Sequence, residues 1–147
     1  MPIYQRTQIG WVIRIATLGP AVVIAGVLAF AHHASPVLWV TLAVTGGTGL
    51  VFGALTIEVD QERLAFWFGP GVVRKSFLLS DIASCRVVTN PWWYGWGIHL
   101  TPAGWLYNVS GRQAIELELR DGRRLRVGTD EPAELCRVLG STKGREK

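Results

Sequence analysis

The chain has 147 residues, enough for one domain of ordinary size, and its 49% hydrophobic content is high for a soluble one. The formal charge is +4, but basic and acidic residues are interleaved from residue 63 onward, which argues against a nucleic-acid-binding face. Two cysteines and three histidines show no CxxC and no Cys/His ligand spacing, so no metal centre and no cofactor are expected.

The surplus of apolar residues lies in two runs. Residues 15–31, IATLGPAVVIAGVLAFA, and 37–57, VLWVTLAVTGGTGLVFGALTI, carry no charge. About 17 to 25 residues at ~1.5 Å each match a hydrocarbon layer about 30 Å thick. Neither run shows the polar stripe of a helix in a soluble bundle. The pattern predicts a transmembrane hairpin within residues 1–57, with spans at 11–31 and 37–57. Trp11 and Trp39 fall where indoles prefer the headgroup level, and Arg14 lies within snorkelling reach of the phosphates, so these three are the expected interfacial anchors. Gly46, Gly49 and Gly53, three and four residues apart, form a small-residue face, either against the first span or against a second copy of the chain. Arg6 and Arg14 precede the first span, the HHASP turn has no Lys or Arg, and basic residues resume after the second span, so both termini are expected in the cytoplasm. A signal peptide ending at the AFA of residues 29–31 is the competing reading. The length of the run and the second span that follows at once weigh against it.

From residue 58 the charges return and turns come every eight to twelve residues, the signature of antiparallel β-structure. LTIEV and LAFWF pair as Val59 with Leu64, Ile57 with Phe66 and Leu55 with Phe68, which puts six apolar side chains on one face. A GPG turn, a strand in VVRKSFLL, the connection LSDI and a strand in SCRVV follow. In AIELELRDGRRLRVG, side-chain parity excludes a two-residue turn. A three-residue loop over 120–122, with Gly122 left-handed, pairs Ile115 with Val127, Leu117 with Leu125, Glu116 with Arg126 and Glu118 with Arg124. Those ion pairs are read as exposed, at most about 1 kcal/mol each. TDEPAELCRVLG is a helix capped by Thr129 or Asp130 and ended by Gly140. Residues 141–147 are read as a flexible tail. Cys85 and Cys136 are read as inert core residues in a reducing compartment.

No active-site constellation rises above this background. GGTG at 46–49 lacks the lysine of a phosphate loop, Ser80-Asp81 has no nucleophile elbow, and His99 stands alone as a strand residue. Asn108-Val109-Ser110 is a chance glycosylation pattern in a turn, and His32-His33 a polar turn. The chain is not expected to be an enzyme.

The order is two spans, six or seven short strands and a final helix. With the run NPWWYGWGIHLTPAGWLYNVSGRQAIELELRDGRRLRVGTDEPAEL, it resembles small bacterial membrane proteins that carry a pleckstrin-homology-like (PH-like) domain. The resemblance covers residues 11 to 140. It implies an α+β membrane protein of the bacterial cytoplasmic membrane, in which a PH-like antiparallel β-barrel at 58–140 is closed by a C-terminal helix. It carries no catalytic motif, and implies a non-enzymatic scaffold or protein-interaction module at the cytoplasmic membrane face, or alternatively a lipid-headgroup-binding domain. Arg74 and Lys75, after the GPG turn, are the candidate headgroup contacts. Trp92, Trp93, Tyr94 and Trp96 are the candidate interface. An uncharged aromatic loop suits either the headgroup region of the bilayer or a protein partner of unassigned identity.

Overall fold

The computed structural model describes residues 1–31 and 35–143. The His32-His33 turn and the end of the tail lie outside the described residues. The first element is one that hydropathy does not announce: β1, Tyr4–Ile9, runs antiparallel to β2, Ala54–Val59, from Tyr4 opposite Val59 to Ile9 opposite Ala54. What lies between these paired strands is helical, α1 at Trp11–Phe30 and α2 at Pro36–Phe52. The hairpin of helices is therefore the connection of a β-hairpin. Its base is tied where the Gly10 amide donates to the Gly53 carbonyl at 3.0 Å and Arg14 Nε donates to the same oxygen at 2.9 Å. Arg14 thus caps the end of α2.

Helix α1, with 20 residues, is long and apolar enough to cross a membrane. Helix α2 is shorter, 17 residues, and stops at Phe52 rather than at the expected residue 57. Leu55 and Ile57 are as apolar as the helix before them, but they alternate, and sheet pairing takes them into the core beside Phe68 and Phe66. The helices pack along each other through Gly49, where an added Cβ would stand 2.4 Å from Thr17 Oγ1 and 2.9 Å from Leu18 Cδ2. Gly53 faces Arg14 and Gly46 faces open space. Within the helices only Ala21 and Gly49 are buried, while Val22, Val23, Phe30, Val37, Val40 and Leu50 are exposed.

Strands β1, β2, β3 (Arg63–Phe68) and β4 (Val73–Leu78) form one antiparallel sheet in that order. A 3-10 turn at Leu79–Asp81 leads to β5, Ile82–Thr89. The second sheet has the order β5-β8-β9-β7-β6, with β6 at Gly97–Thr101, β7 at Gly104–Asn108, β8 at Gln113–Leu119 and β9 at Arg124–Gly128. The registers expected for β2–β3 and β8–β9 are the observed ones, and Gly122 takes φ +85° in the three-residue turn. The expected closed barrel does not form. Strand β7 joins β9 in parallel, and the result is two facing sheets whose edge strands β4 and β6 stay apart.

Leu55, Ile57, Leu64, Phe66 and Phe68 of the first sheet meet Tyr107, Ile115, Leu117 and Val127 of the second, with Phe66 and Tyr107 rings 4.9 Å apart. Helix α3, Pro132–Lys143, closes one end with Leu135, Val138 and Leu139. It continues through Gly140, the expected stop, to Lys143. Thr129 Oγ1 accepts the Glu131 amide at its start, as the capping pattern predicts. Cys85 and Cys136 are not independent core residues: they form a disulfide between β5 and α3, with Cα atoms 5.7 Å apart and a sequence separation of 51.

Gly49→Leu is expected to cost about 1–3 kcal/mol by overpacking the helix contact, read by unfolding in detergent. Gly46→Leu, at a position with open space, should cost much less.

Candidate functional site

Strands β5 and β6 are sequence neighbours at opposite edges of one sheet, so residues 90–96 must cross its whole width. Four strand spacings of about 4.8 Å make about 19 Å. Seven residues that include a 3-10 turn at Trp92–Tyr94 reach about 20 Å, so the loop has little slack. It is fastened at Asn90, which is buried. The Asn90 amide donates to the Arg112 carbonyl at 2.7 Å, Arg112 Nε donates to the Asn90 carbonyl at 3.2 Å, and Arg126 Nη1 donates to Asn90 Oδ1 at 3.0 Å.

Beneath this fastening lies Glu116, 4% exposed, which accepts from Arg126 at 2.9 Å and from Arg86. The Glu116–Arg126 pair was expected on an exposed face. The crossing loop buries it instead. Burial raises the Glu116 pKa, but hydrogen bonds and charge from Arg126 and Arg86 outweigh it and hold the carboxyl below its ordinary value.

With its polar side occupied, the loop turns its rings outward. Trp92 is 74% and Trp93 68% exposed, set edge to face with centroids 6.0 Å apart. Trp96 is 41% exposed, and its carbonyl bonds His99 Nε2 at 2.6 Å, which gives that histidine a turn-fixing role. Tyr94 departs from the group. It turns toward Arg86, Glu116 and Arg126 on the outer face of the sheet. Trp92, Trp93 and Trp96 wall a niche of about 420 Å³ whose remaining lining includes Asn90, Asn108, Gly111 and Arg112.

That niche sits at the foot of the helices. The turn after β7 touches the start of α1: Gln8 Nε2 donates to the Ser110 carbonyl at 3.2 Å, and a Cβ on Gly10 would meet the Val109 carbonyl at 2.8 Å. Trp11, 62% exposed, follows Gly10 directly, whereas Trp39, 57% exposed, lies in the first turn of α2 at the far end of the hairpin.

Arg74 and Lys75 do not act as a pair. They alternate on β4, so Arg74 stacks over Trp67 on the outer face, 4.8 Å from the ring centroid, while Lys75 faces inward. Lys75 lines a second feature, a cleft of about 720 Å³ where the sheets fail to meet. Val73, Lys75 and Phe77 form one wall, Ile98, Trp105, Tyr107 and Leu125 the other, and Asp81, Arg123 and Arg124 one end. Of the rings in WLYNV, Tyr107 is in the core, whereas Trp105 is half exposed in this cleft. Sequence reasoning did not find Asn90, Arg112 or the cleft. The fastening joins residues far apart in sequence, and the cleft depends on strand order.

Among the described residues no cluster of His, Cys, Asp or Glu could hold a metal ion. Ser80 and Asp81 serve the β8–β9 hairpin through their carbonyls, which accept Arg120 Nε at 2.5 Å and the Arg120 amide at 2.8 Å.

Glu116→Gln is expected to cost about 1–3 kcal/mol near neutral pH, read by denaturant unfolding. Because the folded pKa is depressed, the stabilisation is full above the unfolded value of about 4.3 and fades as pH falls through the folded value. The gap between the variant and the parent should therefore close in acid. No family model, no curated protein and no solved structure matches the chain.

Proposed function

We propose that the chain is a non-enzymatic, membrane-anchored PH-like module that captures an extended segment of a protein partner at the open edge of β4. The single observation behind this reading is the cleft between β4 and β6. The other two sheet edges make contacts around α3. Arg6 and Tyr4 of β1 bond Asp130 and Glu131 before α3, and β5 is covered by α3 and the disulfide. Among the described residues, β4 and β6 offer unpaired backbone beside the apolar walls of the cleft, the arrangement that strand addition uses. Lys75 has no ion pair among the described residues, whereas Arg123 and Arg124 are paired with Asp121 and Glu118, so Lys75 is the cation open to a ligand. The fitting segment is therefore apolar and acidic.

In this reading both helices lie in the bilayer, α1 spanning and α2 paired beside it, with the exposed valines and leucines toward lipid. The paired β1 and β2 put the N-terminus and the β-domain on one side of the helices. Arg6 and Arg14 on that side, against no Lys or Arg in residues 32–36, make it the cytoplasmic side of a bacterial membrane. The disulfide weighs against that placement, since cytoplasmic thiols are kept reduced. Charge acts at insertion and sets the side. The thiol pair then closes only under oxidation.

A photo-crosslinker replacing Leu78, in full-length chain in native membranes, is expected to trap one protein in a discrete adduct that Lys75→Glu weakens; the same probe at Arg137 on α3 should not trap it. Lipid adducts alone, or equal yields from both positions, would overturn the reading. Alkylation in unstressed cells should find Cys85 and Cys136 as free thiols, and a fully oxidised pair there would overturn the cytoplasmic placement.

A further inference from the structure

The niche beside the crossing loop combines three properties that together specify an occupant. Its walls are the indoles of Trp92, Trp93 and Trp96, apolar surface that nothing else among the described residues covers. Its charge is cationic. Arg112 lines it, makes no ion pair among the described residues, and uses Nε on the Asn90 carbonyl, while no carboxylate is among the lining residues. Its position is the third property: the 109–111 turn that carries Gly111 and leads into Arg112 packs against Gln8 and Gly10, immediately before Trp11 and the apolar helix.

We infer that this niche binds one anionic phospholipid of the adjacent leaflet, its phosphodiester on the Arg112 guanidinium and its glycerol and upper acyl segment against the three indoles. Guanidinium is the side-chain group that matches phosphate oxygens in a planar fork, and indole rings are stable at the boundary between headgroup and chain. A soluble anion would use the arginine but leave the indoles exposed. A neutral lipid would cover the indoles but leave the cation unmatched. The inference rests on the membrane placement of α1 and is independent of the cleft, since Lys75 lines the cleft and not the niche.

The test uses full-length protein in nanodiscs of phosphatidylcholine with an equal, small fraction of acyl-brominated phosphatidylglycerol or acyl-brominated phosphatidylcholine, read by tryptophan quenching. The brominated anionic lipid is expected to show about a fivefold preference at the niche, the factor one arginine supplies beside an anionic headgroup. Arg112→Gln should abolish the preference and Arg112→Lys should keep much of it, with circular dichroism showing that both variants fold. The combined Trp92→Phe, Trp93→Phe and Trp96→Phe variant should lose the selective component yet retain quenching of Trp11 and Trp39. Equal quenching by the two lipids, or a preference unchanged in Arg112→Gln, would overturn the lipid site. Loss of quenching at Trp11 and Trp39 as well would overturn the membrane placement on which it rests.

Discussion

The pairing of β1 with β2 is the constraint on which the rest of the structure depends. Two strands distant in sequence are held in register from Tyr4 to Ile9, and the helices are what joins them. Both helix ends are thereby fixed to one edge of a sheet, and the Gly10–Gly53 bond and the Arg14 cap leave no flexible linker between helix and domain. A domain tethered by one strand could swing about its linker. One tethered by two paired strands presents the same end to the helices at all times. The turn at 109–111 and the loop at 90–96 belong to that end, and so does the β3–β4 turn, where Gly69, at φ +48°, passes so close to α2 that a Cβ would stand 2.4 Å from the Leu50 carbonyl.

Strand order explains the remaining features together. Placing β7 parallel to β9 sends β6 to the outside of the second sheet, which separates it from β5 and forces a crossing loop over residues 90–96. The same placement keeps β6 away from β4 and leaves the cleft between the sheets. One topological choice therefore generates both the aromatic surface and the groove. Helix α3 offsets the cost of an open sandwich at the opposite side, and its disulfide to β5 closes a loop of about fifty residues. By loop-closure entropy that cross-link is worth up to about 4 kcal/mol when formed. In its reduced state the helix still has Leu135, Val138 and Leu139 in the core and Arg6 against Asp130.

What could be read from the chain was what neighbouring residues decide. The β2–β3 and β8–β9 registers follow from side-chain parity and short turns, and both are observed as expected. Helix α1 follows from an uncharged run. Strand β1 escaped because YQRTQI has four consecutive polar residues, Gln5 to Gln8, with no apolar alternation, and pairs with a strand that follows two helices. The end of α2 escaped because Leu55 and Ile57 suit a lipid-facing helix and a buried strand equally. Glu116 escaped because its burial comes from the 90–96 loop, which is in no register with it, and the disulfide because cysteine separation in sequence says nothing about proximity in space.

The aromatic loop shows how such non-local constraints can concentrate chemistry. Only Tyr94 of the loop's four rings turns over the sheet, and it stays half-buried. With a reach close to the distance it must cross, and with Asn90 committed to Arg112 and Arg126, residues 92, 93 and 96 keep their side chains on the free side. The underside of the loop is already satisfied by Glu116 and its arginines. An indole there would displace a buried ion pair and leave its charges unpaired, at a cost of several kcal/mol, more than burying the ring would return. The exposure of Trp92 and Trp93 is thus a consequence of the polar fastening beneath them, and weakening that fastening, more than altering the rings themselves, is what would let the loop collapse.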